Sequence, residues 1–190
     1  MHHSYILWLA SLLFALQVAA LPATEANANL TAAGSLAGER GGPCPFSQYA
    51  VPLLRAYSSS LTDHFYTTDP QEMEMAVKAG YVQRGYAGRV FQTRQPYTVA
   101  FYRLWNEGGS DHFYTTSMDM RDILVKRGFT DEGIAGYVFD KQRYRENVPL
   151  YRLHHQKDID TFYTVSWKEK EYAKQYYGYT EQPTAAYVFP

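Results

Sequence analysis

The chain has 190 residues, 46% of them apolar and 19% charged, with a formal net charge of −1. That is enough for one ordinary globular domain and too little for two comfortable ones. The near-zero charge comes with no basic block interleaved with aromatics, so no nucleic-acid partner is expected. There is one cysteine, Cys44, which rules out an internal disulfide, and packing alone must hold the domain.

Met1 to Ala20 reads as a signal peptide. An apolar run from Tyr5 to Val18 is followed by the small residues Ala19 and Ala20 that a cleavage site needs. The n-region holds His2 and His3 but no Lys or Arg. A membrane anchor is the alternative, but the run is shorter than the roughly 20 apolar residues that span a bilayer. No later segment is a candidate span, so the expectation is a secreted, extracellular protein. Residues 21–48 lack helical or strand periodicity and are poor in large apolar residues, as in a flexible leader. Asn29-Leu30-Thr31 is a glycosylation sequon. Cys44, in Gly-Gly-Pro-Cys-Pro, is either a packed thiol or a link to a second chain, so monomer and Cys44-linked dimer both stay open.

Residues 49–190 form the domain, and from Val51 onward the sequence repeats with a period of about 48–50 residues. The copies span 51–91, 99–139 and 148–190. Each opens on a strand-like block: Leu53-Leu54-Arg55-Ala56-Tyr57, Phe101-Tyr102-Arg103-Leu104-Trp105 and Leu150-Tyr151-Arg152-Leu153-His154. Asp63-His64-Phe65-Tyr66-Thr67 follows, with Asp111-His112-Phe113-Tyr114-Thr115 and Asp160-Thr161-Phe162-Tyr163-Thr164 as its counterparts. Each copy ends on an aromatic-rich block closing with Phe91, Phe139 or Phe189. Between the second and third blocks lies a helix. Asp69-Pro70-Gln71-Glu72 supplies an N-cap, a first-turn proline and a capping-box glutamate. Ser166 with Glu169 repeats the box, and Ser117 caps without the glutamate. Gly80, Gly128 and Gly178 stop the helices.

One strand-strand-helix-strand unit cannot bury its own apolar face, but three around an axis can close a core. The expected fold is α+β: three β-β-α-β repeats in a pseudo-threefold arrangement, with mainly antiparallel strands and three short peripheral helices. A β-trefoil-like fold is the alternative.

The blocks Tyr-Arg-Leu, Asp-His-Phe-Tyr-Thr-Thr and Glu-Gly-Ile-Ala-Gly-Tyr-Val-Phe resemble the repeats of a secreted fungal and bacterial family, a domain of unknown function. The resemblance covers about residues 50 to 190. In bacteria such repeats accompany cell-wall-degrading enzymes, which implies an accessory binding role. This chain departs from the pattern at Thr161, where His is expected, and at Gln182-Pro183, where Glu-Gly is expected.

Strand alternation puts Tyr102 with Leu104, and Tyr151 with Leu153, on a core face. Arg55 with Tyr57, Arg103 with Trp105, and Arg152 with His154 then lie on the opposite face. The pairs Arg55–Asp63, Arg103–Asp111 and Arg152–Asp160 read as ion pairs pinning adjacent strands, or else as a polar ligand site. Tyr57, Trp105 and His154 end the opening strands, where flat rings beside Arg and Asp suit a sugar. They could equally pad the junctions between units. His64 and His112 recur without a third histidine, so no zinc site is expected, and they join the arginines, aspartates and rings as candidate ligand-binding residues. Neither a metal nor another cofactor is predicted. The three aspartates sit in like surroundings, the opposite of what paired acid–base catalysis needs. The leading expectation is a secreted non-enzymatic binding module with up to three sites for a cell-wall or cell-surface polysaccharide or glycoprotein. The alternatives are an extracellular structural or protein-interaction domain, and a cell-wall-active hydrolase.

Overall fold

A computed structural model describes residues 42–190. The segment read as a signal peptide and most of the expected leader, with Asn29, lie outside the described residues. Three copies of one unit follow each other, as expected. The first contains β1 (Val51–Ser58), β2 (Asp63–Thr67), α1 (Pro70–Lys78) and β3 (Val82–Val90). The second contains β4 (Val99–Asn106), β5 (Asp111–Thr115), α2 (Met118–Lys126) and β6 (Thr130–Val138). The third contains β7 (Val148–His155), β8 (Asp160–Thr164), α3 (Trp167–Tyr176) and β9 (Thr180–Val188).

Each unit is a three-stranded antiparallel sheet with its opening strand in the middle, in the orders β2-β1-β3, β5-β4-β6 and β8-β7-β9. The sheets do not merge into a closed barrel, so the arrangement is the threefold α+β one and not a trefoil. The helix starts follow the local chemistry. The Asp69 carboxylate accepts from Gln71 N–H at 2.8 Å, and the Ser117 and Ser166 hydroxyls accept from Met120 and Glu169 N–H at 3.1 and 3.2 Å. Each helix ends before a glycine at positive φ, namely Gly80, Gly128 or Gly178.

The core is a stack of layers about the shared axis. Tyr66, Tyr114 and Tyr163 form one layer, fully buried, with ring centroids 5.4–5.5 Å apart in edge-to-face contact. Leu53, Phe101 and Leu150 join them, with Val90, Val138 and Val188. Phe91, Phe139 and Phe189 make a second aromatic triangle. Cys44 packs into that triangle with Tyr144, so the residues just before the repeats cover one end of the axis. The Cys44 thiol is buried, and burial raises its pKa.

Strand alternation describes the opening strands only in part. Leu104 is buried, but Tyr102 is only half-buried, and Phe101 on the opposite face is buried as well. Leu53, Phe101 and Leu150 turn to the axis, whereas Ala56 and Leu153 pack with residues of their own helices, Met73 and Ala173. Each opening strand lies between the axis and a helix, so both of its faces are inside.

Two sets of hydrogen bonds tie the units into a ring. Backbone pairs join Arg89 to Phe189, Phe91 to Tyr137, and Phe139 to Tyr187, linking every unit to both others. Inside them, each tyrosine hydroxyl reaches across to the next tyrosine. Tyr114 Oη donates to Tyr66 C=O at 2.8 Å and accepts from Tyr66 N–H at 2.8 Å. Tyr66 Oη does the same to Tyr163, and Tyr163 Oη to Tyr114, at 2.8–3.0 Å. A phenol carries one donor and acceptor lone pairs, so each hydroxyl satisfies both backbone groups of a residue that no ladder serves.

Replacing Tyr114 with Phe keeps the packed ring and orphans the N–H and C=O of Tyr66. We expect Y114F to lose about 3 kcal/mol of stability, as two buried groups lose their partner. Urea unfolding followed by circular dichroism measures this, and a loss under about 1 kcal/mol would contradict the role given to the hydroxyl.

Candidate functional site

The polar groups that recur in the sequence meet at the junctions between units, not within one hairpin. Asp63, Asp111 and Asp160 are buried, and one oxygen of each lies within 4.8 Å of the others. Each aspartate faces the next unit. Asp63 accepts from His112 N–H at 2.8 Å, from His112 Nδ1 at 2.6 Å and from Tyr81 Oη at 2.6 Å. Asp160 accepts from His64 N–H at 3.0 Å and Nδ1 at 2.7 Å, and from Tyr179 Oη. Asp111 faces Thr161, where the third histidine is missing, and accepts only from its N–H at 2.7 Å and hydroxyl at 2.9 Å. Three carboxylates are a hard-cation donor set, but these oxygens are committed to protein donors.

The asymmetry fixes the charges. Burial pushes the Asp111 carboxyl up to about 7, against the pull of the Thr161 hydrogen bonds, and the charges of Asp160 and Asp63 add to the rise. Burial alone would lower the His112 pKa, but its bonds to Asp63 and Glu132 outweigh this and raise it to about 9. His112 is therefore an imidazolium at neutral pH.

The expected Arg–Asp pairs within hairpins do not form. Asp63, Asp111 and Asp160 turn to the next unit's backbone and side chains, and Arg55 and Arg103 reach the helix of a neighbouring unit instead. Arg55 grips Glu169 with two parallel bonds of 2.9 and 3.0 Å. Arg103 grips Glu72 at 2.6 and 3.0 Å and reaches Glu132 at 2.9 Å. Both glutamates also accept from a threonine hydroxyl, Thr164 or Thr67. Those threonines in turn accept the N–H of the cap residue, at 3.0 Å in each case. Glu72 and Glu169 thus stand at capping-box positions but serve as clamps between units. Arg55 holds Glu169 below the usual carboxylate range. Glu72 is likewise lowered, with Arg103 and Thr67 overcoming the effect of burial. Arg152 lies over Phe113 at 5.4 Å and has no such clamp.

A cavity of about 610 Å³ opens at the junction of the first and third units. It takes in Arg55, Tyr57 and His64 of the sequence-predicted set. Tyr57 packs against His64 with centroids 4.6 Å apart, and His64 lies 4.9 Å from Phe162. The opposite wall carries Tyr172, Tyr177 and Tyr179, with His155 and Asp158. Tyr172 and Tyr177 are more than half exposed, with rings 5.5 Å apart, and His155 Nδ1 accepts from Asp158 N–H at 3.2 Å. Trp105 packs against His112 at 4.6 Å in the second unit, away from this cavity, and His154 is half-buried in the third. The three rings Tyr57, Trp105 and His154 therefore sit in three separate places.

Sequence reasoning missed the third unit's wall. The signal was the cluster of tyrosines around the end of α3, where the other units have Met75 or Ile123 for Tyr172 and Ala79 or Arg127 for Tyr177.

Residues 52–189 match the family described as a domain of unknown function, DUF5648, and the chain belongs to that family. No curated protein and no solved structure matches it. Among the described residues no helix is long and apolar enough to cross a membrane.

The buried ring predicts a pH profile. Asp111 holds its proton in the fold above the ordinary aspartate pKa of 3.8, so stability falls as pH rises from there through about 7. His112 extends the decline from 6.5 through about 9. Glu72, Glu132 and Glu169 are depressed, and their contribution is lost as pH falls below the ordinary 4.5. Stability should peak on the weakly acidic side. Thr161→His supplies the missing imidazole, and we expect it to remove the decline centred on Asp111 and raise the melting temperature above neutral pH. An unchanged profile in T161H, read by thermal melts from acid to alkali, would contradict this.

Proposed function

We propose that this member of the DUF5648 family is a secreted binding module whose cleft between the first and third units takes a carbohydrate of a cell wall or cell surface. The observation that supports it is the lining of that cleft. Five aromatic rings, Tyr57, Phe162, Tyr172, Tyr177 and Tyr179, meet charged groups in a volume of about 610 Å³. That size is in the range of small-ligand sites. Sugar rings present C–H faces that pack on flat aromatics and hydroxyl edges that need donors and acceptors at the rim. Arg84, Asp158 and His155 provide those at the rim. Tyr172 and Tyr177 have no aromatic counterpart in the other units, so the reading is one cleft and not three equivalent ones.

The cleft carboxylates do not favour a hydrolase. Glu169 is held ionised by Arg55, and Asp158 is exposed to solvent, with no desolvated partner carboxylate beside it in the cleft lining. The one carboxyl raised toward neutrality, Asp111, is buried away from the cleft lining. A second reading has one observation in its favour. Trp167, Tyr172, Tyr176 and Tyr177 are each more than half exposed on or just after α3, a surface that also suits a protein partner.

A glycan array on the full chain tests the proposal, with Tyr172→Ala and Tyr177→Ala beside the parent. We expect binding to a cell-wall or cell-surface glycan that each substitution weakens about tenfold, near 1.4 kcal/mol. Trp105→Ala, at another junction, should leave it unchanged. Absence of glycan binding, or binding indifferent to both tyrosines, would shift the weight to the protein-partner reading.

A further inference from the structure

The three junctions are built to one plan, and one of them is incomplete. At two, an arginine of the opening strand and a threonine hydroxyl converge on a glutamate carboxylate from the first turn of a helix. These are Arg55 and Thr164 on Glu169, and Arg103 and Thr67 on Glu72. At the third junction, between the second and third units, both donors remain. Arg152 lies over Phe113 at 5.4 Å, as Arg55 lies over Phe162 at 5.4 Å and Arg103 over Phe65 at 5.0 Å. Thr115 is buried and accepts from Ser117 N–H at 3.1 Å, as its counterparts accept from theirs. The acceptor is gone. The position of Glu72 and Glu169 is Met120, whose side chain is 41% exposed. The position of Glu132, which also binds Arg103, is the neutral Gln182.

Nothing else in the unit replaces the lost carboxylate. The Arg152 guanidinium makes no ion pair or hydrogen bond among the described residues: the Nη pair lacks the glutamate its counterparts grip, and Nε, which bonds the Arg84 carbonyl in Arg55 and Glu132 in Arg103, is closed off from water without a partner. The aspartate of this junction, Asp111, is taken by Thr161. A buried guanidinium nitrogen without an acceptor is a costly state that a native fold does not keep without reason. Here it is held in position by the ring beneath it, with a threonine hydroxyl in the place where its counterparts donate to a carboxylate.

We propose that the junction of the second and third units is a binding site for a ligand carboxylate, with Arg152 as its fork and Thr115 as its second donor. The shape the two donors await is planar and two-pronged, because that is what occupies the sister junctions, and a guanidinium fork matches it. A uronic-acid sugar and a free organic acid share this chemistry. Met120, exposed at the position equivalent to the sister glutamates, offers an apolar surface to a sugar ring, which favours the uronate. The site involves none of the tyrosines of the cleft, and it stands or falls independently of the carbohydrate reading made there.

The test is a titration of the full chain, labelled with 15N at arginine, with sodium glucuronate, sodium acetate and methyl glucoside. Ionic strength is held constant with chloride, and the arginine Nε–H signals are followed. We expect the Arg152 signal, assigned by its absence in R152K, to move saturably with glucuronate and acetate and to ignore methyl glucoside. The signals of Arg55 and Arg103 should stay in place. Met120→Glu restores the carboxylate that the other junctions carry. M120E should therefore fold, melt at a higher temperature than the parent, and bind glucuronate at least tenfold more weakly. An Arg152 signal that does not saturate, or M120E binding glucuronate as the parent does, would overturn the site. Equal affinity for acetate and glucuronate would overturn the assignment to an acidic sugar.

Discussion

The fold depends on one residue per repeat whose backbone N–H and C=O cannot both be satisfied inside its own repeat. Tyr66, Tyr114 and Tyr163 lie on outer strands whose free edges turn to the axis, in a place with no water. Each needs a donor and an acceptor, and each gets both from one phenol of a neighbour. A hydroxyl is the smallest group able to do this, and the ring that carries it fills the axis at the same time. The exchange closes on itself only with three participants. The repeat is therefore not a stable part that happens to be copied: its edge is completed by the other two copies. The aspartates add a second closed ring, and the backbone bridges near Phe91, Phe139 and Phe189 a third.

Once symmetry does the structural work, departures from it are where other chemistry can enter. Two departures fall at one junction. Thr161 replaces a histidine, leaving Asp111 a buried acid without a cation, and Met120 replaces a glutamate, leaving Arg152 a cation without an anion. The third unit's own tyrosines make a different departure at the junction with the first, where they wall a cleft. Each of these is a local substitution on a scaffold whose backbone is held elsewhere, so the fold tolerates it.

Much of the fold is legible in the residues. Three blocks in constant order, capped helices and stopping glycines are local signals, and local chemistry decides them. What the chain does not spell out is which unit a side chain addresses. Arg55 and Asp63 are close in sequence and on paired strands, and a pair between them is the natural reading. The structure sends one to Glu169 and the other to His112. Glu72 shows the same limit. A capping box is a sound local inference, yet Thr67 takes the cap N–H, and the carboxylate is free to reach Arg103. The candidate cleft was harder still to see, because Tyr172 and Tyr177 gain meaning only beside Tyr57 and His64, more than a hundred residues away. Recurrence marked the shared scaffold, whereas the cleft is made by what does not recur.

The most direct measurement of the central claim is native-state hydrogen exchange at the amides of Tyr66, Tyr114 and Tyr163, across a range of denaturant below the unfolding transition. If one axial ring holds all three units, the three amides exchange together, only through global unfolding, with a common free energy equal to the stability of the whole domain. Exchange of any one of them through a cheaper local opening, with the other two still protected, would mean that a unit can detach and that the ring does not bind the domain together.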